Sequence, residues 1–337
     1  MVSEEESRMK LNEFFLNCRN SVYNENNNTF LLSKIKSSTQ ENDLTVPPNC
    51  DGYGRIRHFR RFISEEWGND PLPIDPACKV LGLDLCDMIE TQVFQIAACN
   101  VRCWYCFVPD ELKSASKCNA RWFSVSDMID LFQRDCERIS VLDLSGGNPE
   151  LVPEWIYSVM KELERRKISD KVYLWSDDTL TTDYFFEYLD KQQIEYIKNY
   201  KYYGKVCCFK GFDEHSFSFN TRLPDIYFEK QFESFERYYK LGLDLYGYVT
   251  FTTDDINDLE EKIAKFIERL RKINLLLPLR VVPLKIAIFT PVQNRMTTKY
   301  FKAVENQKKV YAEWRRQLER LYDKTMLNKR ICDVPLF

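Results

Sequence analysis

From about residue 82 the chain alternates short apolar runs with amphipathic stretches of helical period. The runs that read as strands are Gln92–Ala98, Val141–Ser145, Lys171–Ser176, Lys205–Phe209, Leu243–Thr252 and Leu284–Phe289. Helices fit between most of them. One opens at Ser124 or Ser126, with Asp127 in its first turn, and puts Val125, Met128, Ile129, Phe132 and Cys136 on one face. A second starts at Pro153 and aligns Ile156, Val159, Met160 and Leu163. A third covers Thr182–Lys198. A fourth, Leu259–Ile273, turns Ile263, Phe266, Ile267 and Leu270 inward. Strand alternating with helix predicts a parallel sheet with right-handed crossovers. Six strands suit an open barrel, and Pro283 suits its edge. The expected class is α/β, a partial (βα)6 TIM-like open barrel with an N-terminal extension and a C-terminal helix.

The extension spans residues 1–82, the barrel 83–295 and the tail 296–337. The extension is polar at first, with asparagines from Asn24 to Asn28, and Phe14, Phe15 and Leu16 could dock a short helix. A basic run follows: Arg55, Arg57, His58, Arg60 and Arg61. It reads as a solvated face, or as a docking place for a phosphate-bearing substrate or a partner. Pro71 to Pro76 reads as an irregular linker. In the tail, Thr297–Lys324 forms a charged helix with Phe301, Val304, Val310, Trp314, Leu318 and Leu321 toward the barrel.

Composition narrows the function classes. Apolar residues make up 44% of the chain, enough for a sizeable core, and the formal net charge is only -3. That balance argues against attachment to nucleic acid or membrane by bulk charge, though a local nucleic-acid site stays open. No apolar run approaches a membrane span. The start, MVSEEESRMK, lacks the basic and apolar regions of a secretory signal, so a reducing, cytoplasmic location is expected. There the 12 cysteines are thiols and metal ligands before they are disulfides.

The segment FQIAACNVRCWYCF places Cys99, Cys103 and Cys106 in the spacing C-x3-C-x2-C directly after the first strand. Thiolates are soft ligands that select iron–sulfur clusters, zinc or Cu(I). Three cysteines on a four-iron cube would leave one iron open, and an open metal position marks a site that binds substrate. The alternative is zinc on these three cysteines plus Cys118. Cys50, Cys78, Cys86 and Cys118 are too irregularly spaced to read as a second cluster. Cys332 stands alone after the barrel, and Cys207 and Cys208 alternate sides of a strand.

The cysteine spacing, with the aromatic Tyr105 just before the third cysteine, resembles the signature of the radical S-adenosylmethionine (SAM) superfamily. The resemblance covers about Leu83 to Arg295. It implies a [4Fe–4S] cluster on Cys99, Cys103 and Cys106, S-adenosyl-L-methionine on the open iron, and one-electron cleavage to a 5'-deoxyadenosyl radical that abstracts hydrogen from substrate. It also implies an electron donor such as flavodoxin or ferredoxin. Gly146 and Gly147, at a strand end, resemble the family's Gly-Gly-Glu motif for the SAM amino group. Asn148 stands where the acid would be, with Glu150 two residues on. Ser176, Asp177 and Asp178 fall where relatives hold the SAM ribose or amino group, and Lys210 resembles a lysine that takes the SAM carboxylate. Thr290, Gln293 and Arg295 fall near the adenine or the substrate. His215 lies on the same rim, and Trp104, Phe107 and Trp175 could pack against adenine. Similarity along the strands leans toward the activating-enzyme-like group. A glycyl-radical-enzyme activase, an RNA or peptide modifier and a small-metabolite enzyme all remain open. So does a non-catalytic zinc or iron–sulfur protein.

Overall fold

The computed structural model describes residues 4–337; residues 1–3 of the predicted extension lie outside them. Seven strands make the main sheet: β1 (Gly54–Arg60), β2 (Met88–Phe94), β3 (Val141–Leu144), β4 (Tyr173–Asp178), β5 (Tyr203–Phe209), β6 (Leu245–Thr250) and β7 (Val281–Leu284). Their order across the sheet follows the chain, from β1 at one edge to β7 at the other. β2 to β7 are parallel, and β1 runs antiparallel to β2. The sheet curls into the partial TIM-like barrel that the alternation predicts, with one strand more.

That extra strand is the basic run, which corrects its reading as a solvated patch. Period-two alternation sends Arg55, Arg57 and Phe59 to the concave face, where Phe59 pairs with Ile89 and Arg55 with Val93. Arg55 is only 5% exposed. Arg61 is paired with Asp75, and His58 Nε2 lies 3.0 Å from Glu90. Only part of the run therefore faces solvent.

The last strand lies a few residues earlier than expected, at Val281–Leu284, and Pro283 is inside it. An edge strand tolerates proline because one side of its ladder has no neighbouring strand. Here the Pro283 carbonyl accepts from Trp67 Nε1 at 2.9 Å. Trp67 follows a short hairpin strand, Phe62–Ser64, whose Ser64 Oγ accepts from Lys285. The extension thus reaches across from β1 to β7 and bridges the open side of the barrel.

Pro71–Pro76 is likewise more than a linker. It leads into a helix, Ile74–Leu81, that carries Ile74, Ala77 and Cys78 into the concave face. There they meet Phe59, Ile89, Val141, Tyr173, Tyr246 and the tail residues Ile331 and Cys332. These strand residues lie at the starts of the parallel strands, so the helix plugs the end of the barrel opposite its mouth. The convex face is covered by the crossover helices over Leu142, Leu144, Leu174, Cys207, Phe209 and Val249.

Helix Leu259–Ile273 falls where its period put it, and Ser124 caps Val125–Asp135 by accepting from the Asp127 amide. The predicted helix over Thr182–Lys198 is two, Tyr184–Tyr188 and Lys191–Asn199. Asp190 separates them because its carboxylate caps the second. The N-terminal helix, Glu4–Val22, is longer than expected; Phe15 is buried and Leu16 exposed. In the tail helix, Thr298–Leu321, Val310 and Trp314 are buried, but Phe301 and Leu321 are exposed. Trp314 packs on Phe251 and Phe266, which fixes the helix's rotation.

Candidate functional site

In a parallel barrel the strand C-termini all open on one end, which gathers loops from distant parts of the chain. The cysteine loop leaves β2 at this mouth and is clamped from three sides. The amides of Arg102 and Trp104 donate to the carbonyls of Thr221 and Asn220, both at 3.3 Å. Trp104 Nε1 donates to Asn220 Oδ1 at 3.0 Å, and Arg295 Nη1 donates to the Cys106 carbonyl at 3.0 Å. The Trp104 indole is buried and stacks on Tyr300 at 4.4 Å. Trp104 is therefore part of the clamp rather than of an adenine pocket.

Within this frame Cys99, Cys103 and Cys106 are free and half-buried, and their thiols lie within electrostatic reach of one another. Burial pushes Cys99 up to about 12 and also raises Cys103. Two cations oppose this, Lys113 beside Cys99 and Lys210 beside Cys103. The thiolate charge of a bound metal centre would thus meet compensating charge on two sides. Among the described residues, no three His, Cys, Asp or Glu side chains close on one point as a single metal ion requires.

The turn after β3 is seated against the cysteine loop. Gly146 and Gly147 both have positive φ, 81° and 65°. A Cβ on Gly147 would overlap the carbonyl oxygens of Ile96 and Ala98, so glycine is needed for conformation and for contact alike. The Asn148 amide donates to the Ala98 carbonyl at 2.8 Å. Its side chain donates to Asn100 Oδ1 at 2.8 Å and accepts from the Glu150 amide at 3.3 Å. Glu150 turns to the convex side, where it is buried against Lys205.

Asp177 and Ser176 diverge as strand neighbours must. Asp177 lies on the concave face and accepts from Ser145 Oγ, whereas the Ser176 hydroxyl bonds Tyr203 OH at 2.8 Å on the convex side. Lys210 follows Val206 and Cys208 on the concave face. Burial opposes its charge, but Cys208, Tyr105, Cys103 and Asp177 together hold its pKa well above the usual value. Among the described residues Lys210 makes no ion pair within hydrogen-bonding range, so its ammonium stays available. Tyr105 is buried, with its hydroxyl 3.1 Å from Thr250 Oγ1.

Other expected residues lie elsewhere. His215 is largely exposed and bonds Asp254 at 2.8 Å. Thr290 caps onto Asp43, and Gln293 is exposed. Trp175 packs deep in the barrel between Tyr173 and Tyr246. Phe107 remains at the mouth, edge-on to Phe289 and under the Arg55 guanidinium. Of the remaining cysteines, Cys18 lies against the cysteine loop, its thiol 4.0 Å from the Cys99 carbonyl oxygen. Cys78 lies 3.9 Å from Cys86, Cys50 meets Cys136, and Cys118 is exposed.

Sequence reasoning missed Lys113, the clamp residue Asn220, and a polar layer inside the barrel containing Arg55, Arg57 and Asp143. A signal for the last was present: the carboxylate in the apolar strand VLDL must face something other than core.

The model of the Radical SAM superfamily matches residues 95–267. The chain belongs to that superfamily, a family of enzymes whose chemistry uses an iron–sulfur cluster and SAM. No curated protein matches the chain. Among solved structures it is similar to Streptococcus suis SuiB bound to S-adenosylmethionine, at 11% identity and a TM-score of 0.43, covering 67% of this chain and 47% of that one. It is also similar to native anSMEcpe with bound AdoMet, at 17% identity and a TM-score of 0.37, covering 51% of this chain and 46% of that one. The chain spans less than half the length of either. Among the described residues no helix is long and apolar enough to cross a membrane.

Proposed function

We propose that the protein is a radical SAM enzyme that holds a [4Fe–4S] cluster on Cys99, Cys103 and Cys106, and abstracts hydrogen from a substrate bound inside the barrel. The observation that carries this is the convergence, at one mouth, of three free thiols, the Gly146–Gly147 turn, Asp177 and the unpaired Lys210. The donor set fits the group. Thiols that do not close on a point suit a cluster in which each takes its own iron, whereas tetrahedral zinc draws its ligands together. Cys118, the fourth ligand of the zinc alternative, is exposed and does not figure among the groups acting on Cys99 or Cys103.

When bound, the cluster and SAM supply one-electron cleavage of the sulfonium and a carbon-centred radical. The chain does the rest. Lys210 offers its ammonium to the SAM carboxylate. Asp177 accepts from the ribose hydroxyls or the amino group, and the backbone at Gly146 and Gly147 lies open to the SAM amino group. Tyr105, buried and bonded to Thr250, would hold the cysteine loop against the barrel rim. Asn148 and Ser176 serve by bracing the two strand ends. Arg295 and Asn220 keep the cysteine loop in register, and the plug helix keeps water out of the closed end. An external donor such as flavodoxin or ferredoxin supplies the electron, and the setting is cytoplasmic.

The test is anaerobic reconstitution followed by dithionite and SAM. The expected result is about four irons per chain with a thiolate-to-iron absorption band, and slow release of 5'-deoxyadenosine. Cys103→Ala should lose both. Native protein carrying stoichiometric zinc and no iron would overturn the reading.

A further inference from the structure

Inside the barrel, between the plug helix and the mouth, lies a polar layer of Arg55, Arg57 and Asp143 that borders Asp177. β1 is antiparallel, so its beginning lies at the mouth, and Arg55 and Arg57 look into the barrel from it. Across the neighbouring strand, Val93 pairs with both Arg55 and Asp143, which brings these two side chains over one apolar residue. Asp143 is fully buried, and neither carboxylate oxygen has a hydrogen-bond partner. Its nearest cation, Arg57 Nη1, stops at 4.0 Å. Arg55 is also buried, and its hydrogen bond runs from Nε to Gln95 Oε1 at 3.3 Å, which leaves the terminal fork unengaged. Burial, and after it repulsion by Arg57, lowers Arg55 to about 10 against the attraction of Asp143 and Asp177.

A buried carboxylate whose oxygens accept no hydrogen bond is costly unless a ligand completes it, and the Arg55 fork beside it is free to take one. The fork matches carboxylate or phosphate geometry. Arg55 also lies against Phe107, one residue past Cys106, so a molecule on it sits beside the cluster.

We propose that this layer is the substrate-recognition site, and that it takes a molecule bearing an oxyanion, carboxylate or phosphate. The oxyanion sits on Arg55 and Arg57, and a neighbouring N–H or O–H group of the same molecule sits on Asp143. The inference rests on the radical SAM reading and names the substrate class for it. Both arginines come from the extension ahead of the segment matched to the superfamily, so specificity is supplied from outside the shared core.

The test titrates reconstituted, SAM-saturated protein calorimetrically with inorganic phosphate and, in a separate arm, with acetate. SAM saturation keeps either anion off Lys210. One of the two should bind, and Arg55→Gln should weaken it at least about tenfold, with Arg55→Lys, which keeps the charge but not the fork, restoring only part of it. Iron content and SAM affinity should not change in Arg55→Gln. If that variant fails to load iron, Arg57→Gln, at a more exposed position, carries the same expectation. Absence of binding by the wild type, or unchanged binding in the loaded variant, would overturn the proposal. An equal loss of SAM affinity would place Arg55 on SAM and overturn it too. Failure of the underlying reading would show separately, as wild-type protein that binds neither iron nor SAM.

Discussion

Gly147 is packed against Ile96 so closely that any Cβ on it would overlap the Ile96 carbonyl oxygen. The turn after β3 and the cysteine loop after β2 are thus a single seated unit. Gly147→Ala faces both the overlap and a φ of 65°. It should cost on the order of 2 kcal/mol or more. Iron loading should fall along with the unfolding midpoint; unchanged loading and midpoint would dissociate the turn from the loop.

Asp177→Ala and Lys210→Ala should each weaken SAM binding while leaving the cluster's absorption intact. Neither is one of the three thiols that would ligate the cluster, and each offers a polar group on the concave face. Each lost charged hydrogen bond corresponds to about 2 kcal/mol, or roughly thirtyfold in affinity. Equilibrium binding of SAM to the reconstituted variants decides it.

A single cluster is expected. Cys50 lies with Cys136 and Cys78 with Cys86, while Cys207 and Cys208 belong to opposite faces of β5. A variant lacking Cys99, Cys103 and Cys106 should hold almost no iron after reconstitution. About four irons remaining would require a second cube.

Asp70 gives the apoprotein a pH signature. Burial raises its carboxyl from 3.8 to about 6, against the opposing effects of the Leu72 amide, the Tyr248 hydroxyl and Arg57, with Asp75 adding to the rise. The folded state therefore holds this proton more tightly than the unfolded chain. That stabilisation is complete below 3.8 and is lost as pH rises through about 6. Asp70 should thus make the protein less stable at pH 8 than at pH 5 by on the order of 1 kcal/mol. Asp70→Asn should remove that share of the difference in urea unfolding; an identical pH dependence in both proteins would show that Asp70 carries none of it.

The sequence by itself determined the alternation of parallel strands with helices, the cysteine loop on the end of the first of those strands, and helices such as Leu259–Ile273. Each is a local matter, because an apolar period fixes an element and its buried face, and a C-x3-C-x2-C spacing keeps three thiols on one loop. Tertiary structure alone decided the rest. Arg55 and Arg57 look like surface charge until β1 pairs with β2 and alternation turns them inward. Pro71–Pro76 looks like a linker until the helix behind it finds the open end of a barrel to fill. Trp104 and Arg295 look like adenine or substrate contacts until Tyr300 and the Cys106 carbonyl are found beside them. In every case the deciding partner lies far away in sequence, and burial between distant segments leaves no period in either one for a local reading to find.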